Sequence, residues 1–465
     1  MKLSFCRGLL AVLLLAGVAR AADLPELFKE RVKSVVAVEF FTETELDRRP
    51  TVTCAFVADA AGTLVLPPDA VSGRVQPSQL KDFRVYIPGK PVGDFAHAVY
   101  LGQDALSGWH FVRVEEKFRS QLTPVTAFAA GAGPAEPAMG SSVWGIGLRR
   151  KDEDFVPYLL SGDVSHIESF PERAAIALAE VAAPGLPVFD RDGGLAGIAI
   201  GGFGSTFMQF SRTERGSRVM LMNVEESRVF YLTHEVLPWL GRVPSSVDGR
   251  PIPWLGAYGL QPMDPDVAAF LKLDNQSGCV VSEVLENSPA QAAGMKDRDI
   301  IVAVGGQPVP RLKPDRVAVG YVEREIGRRK PGDKLTLTVL RGSERVELTV
   351  TLADEPKLQR EADRKYFDRL GLTVREFVYG DGVVRRAKLA EHRGVIAHFV
   401  KNNSPVGTAG LRTDDWILEV DGTEVKTYAE AVAKLAVIEA DTGRAEFVLL
   451  ISRNNETAVL RVKLK

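Results

Sequence analysis

The chain has 465 residues, 45% of them hydrophobic and 25% charged, and at roughly 150 residues per domain that length accommodates about three domains. Its 58 basic and 60 acidic residues leave a formal net charge of −2, which removes any electrostatic reason to expect nucleic acid or an anionic membrane surface as a partner. The six histidines, His97, His110, His166, His234, His392 and His398, are scattered without metal-ligand spacing, so no metal or other cofactor is expected.

The N-terminus carries Lys2 and Arg7, an apolar run from Gly8 to Val18, and then Ala19-Arg20-Ala21. A charged start, a short apolar stretch and a small-residue cleavage site form a secretory signal peptide, so residues 1–21 are expected to leave on export. No later apolar run approaches the roughly 18 residues needed to cross a bilayer, and no membrane span is expected in the mature chain. Cys6 precedes the apolar stretch and leaves with it, while Cys54 and Cys279 are expected as two small buried thiols.

From Leu24 to Val224 the chain is a succession of short β-rich runs, such as Ser34–Phe41 and Phe83–Ile87, broken by Gly and Pro. That spacing predicts an all-β barrel or sandwich. Three segments within it stand out. Cys54–Val71 reads as strand, turn and strand, with Asp69 near its end. Ala98–Val114 also reads as strand, turn and strand, with Gly108 at the turn and His110 two residues later on an apolar strand. The third opens on Ala182-Ala183-Pro184-Gly185-Leu186-Pro187-Val188 and closes in a hairpin around Asp192-Gly193-Gly194. An amphipathic helix is predicted from about Glu225, with Val229, Leu232 and Val236 at helical spacing and Pro238 and Gly241 ending it. Residues 241–254, with Pro244, Gly249, Pro251 and Pro253, read as a linker.

The C-terminal half repeats itself at an offset of 116 residues: Gly278 pairs with Gly394, Asn287-Ser288-Pro289 with Asn403-Ser404-Pro405, Ala293-Gly294 with Ala409-Gly410, and Asp299 with Asp415. Two ungapped copies imply two similar domains, residues 255–355 and 356–465.

The first half resembles the trypsin-like domain of HtrA (DegP-like) serine proteases, and each repeat resembles the PDZ domain found in that family. The resemblance implies a mainly β chain: a chymotrypsin-like double β-barrel over residues 22–240, then two PDZ domains. It also implies a periplasmic location. In the family, the three segments above carry the histidine, the aspartate and the serine of the catalytic triad; here those places hold Asp69, Gly108 and Pro184. A carboxylate cannot act as an imidazole base near neutral pH. Proline has neither a hydroxyl to attack a carbonyl nor an N–H to stabilise an oxyanion. The resemblance therefore points to a pseudoprotease with no catalytic residues, which binds unfolded polypeptides or protein C-termini in envelope quality control or in regulating a partner. Gly278, Cys279, Val280 and Val281 in one repeat, and Gly394, Val395, Ile396 and Ala397 in the other, are the expected peptide-binding residues, with N–H groups converging on a carboxylate beside an exposed strand edge. Relatives are commonly trimers built through the protease domain, but no residue in the sequence establishes a homo-oligomer here.

Two alternatives remain. One is an active serine endopeptidase with a displaced triad, built from His97 or His110 and a serine such as Ser141, Ser142, Ser161 or Ser165, or from Cys54 as nucleophile. The other is a structural scaffold of the cell envelope.

Overall fold

The computed structural model describes residues 23–129, 136–168, 172–202, 209–212, 218–221, 228–273, 276–312 and 315–464. The expected signal peptide, Cys6 and Glu225 lie outside them. Among the described residues, no helix is long and apolar enough to cross a membrane.

The chain is mainly β. After helix α1 (Leu24–Arg31), strands β1 (Val35–Glu43), β2 (Arg48–Val57), β3 (Thr63–Leu66), β4 (Leu80–Tyr86), β5 (Ala96–Gln103) and β6 (His110–Val114) close a barrel in the order β1-β2-β3-β6-β5-β4. The period of two explains why β1 reads as an unbroken apolar run. Val36, Val38 and Phe40 fill the barrel interior. Val35, on the other face, joins a core shared with Trp144 and Phe189 of the next barrel. Helix α2 (Glu116–Arg119) follows β6.

A second closed barrel comprises β7 (Ser142–Leu148), β8 (Pro157–Glu168), β9 (Ala174–Ala177), β10 (Pro187–Asp190), β11 (Leu195–Gly202) and a strand at Arg228–Leu232; β12 (Gln209–Arg212) and β13 (Arg218–Leu221) pair separately, making that last strand β14. Two six-stranded barrels in sequence are the chymotrypsin-like arrangement. The hairpin at Asp192-Gly193-Gly194 forms as expected: Gly193 has φ +81°, and the Asp190 carboxylate accepts the N–H groups of Asp192 and Gly194 at 2.9 and 2.8 Å.

The helix expected from Glu225 begins only at Thr233, as α3 (Thr233–Leu240). Val229 and Leu232 belong instead to β14, which closes the barrel by pairing with β9 and β11. Pro238 lies inside the helix, and Gly241 caps it.

In the third unit, β15 (Pro253–Trp254) pairs with β24 (Ala353–Asp354), and β16 (Ala257–Tyr258) with β19 (Glu283–Val284). Its main sheet runs β17 (Gln261–Pro262), β18 (Cys279–Val280), β20 (Ile300–Val304), β22 (Lys334–Arg341), β23 (Glu344–Thr351), with β21 (Gln307–Pro308) on β20. Helices α4 (Pro265–Phe270), α5 (Pro289–Ala292) and α6 (Val317–Gly327) accompany it.

The fourth unit has a sheet ordered β25 (Arg364–Phe367), β26 (Leu372–Glu376), β27 (Val395–Val400), β28 (Trp416–Val420), β30 (Glu446–Arg453), β31 (Glu456–Lys463), with β29 (Thr423–Glu424) on β28. Its helices are α7 (Tyr379–Arg385), α8 (Pro405–Thr408) and α9 (Tyr428–Ala440).

The repeat extends to buried chemistry. Asp299 takes a bidentate pair from Arg341 at 2.9 and 2.8 Å, and Asp415 one from Arg453 at 2.7 and 2.6 Å. Ser288 and Ser404 cap α5 and α8 by accepting the N–H groups of Gln291 and Gly407.

Candidate functional site

Asp69, Gly108 and Pro184 sit on loops at the junction of the two barrels. Asp69 lies in the short helical turn Pro68–Ala70 after β3, Gly108 in the turn between β5 and β6, and Pro184 in the loop before β10. Two prolines link them. A Cβ built on Gly108 would lie 3.3 Å from Pro68 Cβ, and one built on Gly185 would lie 3.2 Å from the Cγ and Cδ atoms of Pro67. Asp69 and Pro184 are exposed.

The donors of the Pro184 loop are already spent. The Ala183 N–H donates to Ile146 O at 3.1 Å, the Gly185 N–H to Ala199 O at 2.7 Å and the Leu186 N–H to Ala183 O at 3.0 Å. Pro184 has no N–H to offer, so no backbone donor from 183 to 186 is left to stabilise an oxyanion.

His110, the nearest candidate base, is fully engaged. It is 2% exposed, with Nε2 3.2 Å from the Pro68 carbonyl and Nδ1 2.9 Å from the Tyr100 hydroxyl. A carbonyl can only accept, so Nε2 carries the proton and Nδ1 accepts from Tyr100. Burial lowers the His110 pKa to about 4, with the nearby Arg360 charge also lowering it and the Pro68 carbonyl and Asp69 opposing. Among the described residues, no histidine nitrogen is hydrogen-bonded to a serine, threonine or cysteine side chain: His97 meets Glu115 only through its backbone, and Ser142 bonds Asp163. Cys54 and Cys279 are both free thiols. Burial raises their pKa values to about 11 and about 12, which disfavours the reactive thiolate.

The expected peptide-binding residues of the two repeats have no open strand edge. Cys279 and Val280 are paired on both sides, with β17 and β20. The Gly278 carbonyl accepts the Met263 N–H at 2.9 Å, and Cys279 and Val281 are completely buried. Val395, Ile396 and Ala397 are likewise buried within β27, between β26 and β28, and a Cβ on Gly394 would collide with the Ile417 carbonyl. The expectation of an exposed edge at Gly278–Val281 and Gly394–Ala397 is therefore corrected: these strands are sheet interior, and both of their hydrogen-bonding edges are used.

The open groove of the third unit lies elsewhere. A cleft of about 540 Å³ has Leu255, Gly256, Ala257 and Tyr258 on one wall and Gly320, Glu323, Arg324 and Gly327 of α6 on the other. Strand β17 is the edge strand of the sheet, with α6 packed against it, and the N–H groups of Leu255 and Gly256 have no acceptor among the described residues. Gly256 has φ +80°, and its Cα side is closed by Ser288, so only glycine fits this turn. The barrels form part of the cleft, through Leu106 and through Glu172, which pairs with Arg324 at 3.2 Å. Burial holds the carboxyls of Glu172, Glu323 and Glu355 above their ordinary range.

The same pattern recurs in the fourth unit, where Gly371 has φ +69° and abuts Ser404 as Gly256 abuts Ser288. A Leu-Gly pair thus marks both loops, at Leu255-Gly256 and Leu370-Gly371. This pair is the available sequence signal. Its offset is one residue short of the 116 that relates Gly278 to Gly394, so it falls outside the ungapped repeat.

Residues 266–352 match the family model for the PDZ domain. Over 205 residues the chain is 26% identical to a probable periplasmic serine endoprotease, DegP-like, from Chlamydia pneumoniae, covering 44% of this chain and 39% of that protein. Over 209 residues it is 31% identical to the periplasmic pH-dependent serine endoprotease DegQ of Escherichia coli, covering 45% and 41%. The chain thus spans about two fifths of the length of the curated relatives it matches. Among solved structures, the HtrA-type protease AlgW with a decapeptide aligns at a TM-score of 0.48 and 15% identity, covering 72% of this chain and 99% of that one. The chain has its homologues among the HtrA/DegP-type serine proteases and carries a PDZ domain.

Proposed function

We propose that the protein is an exported, periplasmic pseudoprotease that binds polypeptides by their C-termini without hydrolysing them. Residues 22–240 form its protease-like domain, and residues 255–355 and 356–465 form two PDZ domains. The observation that carries this reading is the hydrogen-bond arrangement at 183–186, where every N–H is bonded to a carbonyl and the nucleophile position is a proline. Acyl transfer needs a nucleophile, a base and oxyanion donors acting together. Here Pro184 cannot attack, the His110 nitrogens are both engaged, and the loop has no donor to give.

Peptide capture belongs to the third unit. The N–H groups of Leu255 and Gly256, which have no acceptor among the described residues, supply donors for a carboxylate, the β17 edge supplies carbonyl acceptors but no N–H at Pro262, and α6 supplies a side-chain wall. A peptide there also meets the barrels through Leu106, so its binding reaches the protease-like domain.

Incubating the purified chain with casein at neutral pH, with and without a serine-directed covalent inhibitor, tests the loss of hydrolysis. No cleavage in either arm is expected. Inhibitor-sensitive cleavage contradicts the proposal.

A further inference from the structure

The two Leu-Gly loops differ in one respect: the one in the third unit is open and the one in the fourth is filled by the chain itself. In the third unit the preceding strand, β15, lines the groove but pairs with β24 and not with the strand that follows the loop. In the fourth unit the preceding strand, β25, turns back and pairs antiparallel with β26, with Arg364 opposite Arg375, Tyr366 opposite Thr373 and Phe367 opposite Leu372. Helix α9 packs against both β25 and β26, and Phe367 is buried in one core with Leu435 and Ile438 of that helix. A bound peptide would need this position between strand and helix.

The loop donors are satisfied in the same way. The Gly371 N–H donates to the Phe367 carbonyl at 2.8 Å. The N–H groups of Arg369 and Leu370 donate to Oε1 and Oε2 of Glu439, at 2.8 and 3.1 Å. Three successive N–H groups therefore hold one carbonyl and one carboxylate, the groups that a peptide C-terminus would bring. The segment leading into β25 is tied to the first-barrel segment before β4, where Gln76 Nε2 donates to the Ala362 carbonyl at 2.8 Å, while Arg364 Nη1 lies 2.9 Å from His398 Nε2 of β27 within the fourth unit.

We propose that β25 is a built-in ligand: the fourth unit has a peptide groove for C-termini of the type Arg-Lys-Tyr-Phe, aromatic at the last residue and basic upstream, and its own residues 364–367 with Glu439 keep it closed to outside peptides. This rests on residues 356–465 being a second peptide-binding domain. Occupancy by a covalently attached segment carries a high effective concentration, so a free peptide cannot displace it while β25 stays paired.

The test uses the full chain, the peptide Arg-Lys-Tyr-Phe with a free carboxylate, and hydrogen exchange read segment by segment. In the wild-type chain the amides of 372–376 should exchange slowly, and the peptide should leave them unchanged. In the double variant Lys365→Pro, Glu439→Gln, which removes a strand N–H and the charged occupant of the loop, exchange at 372–376 should rise by about tenfold or more, and the peptide should slow it again where the amidated peptide does not. Peptide protection of 372–376 in the wild-type chain, or fast exchange in the folded variant that the peptide fails to slow, overturns the proposal. Should the double variant not fold, Glu439→Gln alone must speed exchange at Arg369 and Leu370, and unchanged exchange there also overturns it. A peptide effect missing only at 255–262 and 317–327 counts against the first groove and leaves this one standing.

Discussion

Gly185 packs directly on Pro67: with φ +79°, it brings its Cα so close that an added Cβ would lie 3.2 Å from the Cγ and Cδ atoms of the proline ring. Pro67 follows β3 of the first barrel and Gly185 precedes β10 of the second, so this contact joins the loop that carries Asp69 to the loop that carries Pro184. Gly185→Ala meets both the ring and a left-handed backbone that L side chains rarely adopt. It should destabilise the chain by roughly 1–3 kcal/mol, measured by urea unfolding against wild type. An unchanged midpoint would mean the two loops are not packed as described.

Serine at position 184 alone should not create an endopeptidase. Pro184→Ser supplies a hydroxyl and one N–H, but Asp69 is no imidazole, and the neighbouring N–H groups stay bonded to Ile146, Ala199 and Ala183. Triad members act as a unit, and one restored member recovers little. Casein cleavage by the variant at a rate above that of wild type would refute this.

His110 should make the fold acid-sensitive. Burial lowers its pKa from 6.5 to about 4, and that of His398 is also lowered to about 4, burial first and the Arg364 charge next. Between those values the unfolded chain binds a proton that the native chain refuses, so the stability contribution is present above about pH 6.5 and is lost as pH falls towards 4. The slope is about 1.4 kcal/mol per pH unit for each proton, giving roughly 3 kcal/mol for His110 across the window. His110→Gln should reduce that slope in denaturant unfolding at a series of pH values. Equal slopes in wild type and variant would place the acid sensitivity elsewhere.

Much of the fold was legible because its periodicities are strong. The 192–194 turn, the short strands of the barrels and the repeat from Asp299 to Asp415 follow from glycine placement and alternation. The start of α3 was not legible, because Val229 and Leu232 satisfy a helical spacing while lying in a strand whose partners, β9 and β11, are distant in sequence. The free strand edge expected at Gly278 and Gly394 is not found for a related reason. Gly278 and Gly394 precede the most strand-like runs of each repeat, but whether a strand has a free edge depends on its neighbours, and β17 and β26 cover those runs. The filling of the second groove by β25 depends on a hairpin partner and on Glu439, about 70 residues away from the loop it caps, which no local pattern announces.

The buried pair of the fourth unit should be costly to break. Arg375 is 2% exposed and Asp381 0%; they meet through two hydrogen bonds of 2.6 and 2.8 Å, and Asp381 also accepts the Val378 N–H at 2.9 Å. Asp381→Ala leaves the guanidinium buried without its partner and should cost about 3–5 kcal/mol. The double variant Arg375→Leu, Asp381→Leu should recover part of that loss in the same unfolding measurement, and a double variant less stable than the single one would argue against the pairing as the cause.

In the open groove, a peptide with an apolar last residue should bind at micromolar affinity, about −8 kcal/mol, and amidating its C-terminus should cost roughly 1.5–3 kcal/mol per charge-assisted bond lost. Equal affinity for the acid and the amide, titrated against the full chain, would remove the carboxylate from the recognition.

One mass-spectrometric measurement addresses both peptide binding and the absence of cutting. The full chain is incubated at neutral pH with a free-carboxylate peptide, following hydrogen exchange at 255–262 and 317–327 together with the intact mass of the peptide. Protection of both segments with the peptide mass unchanged after prolonged incubation is the predicted result. Peptide fragments accumulating as the protection decays would contradict it.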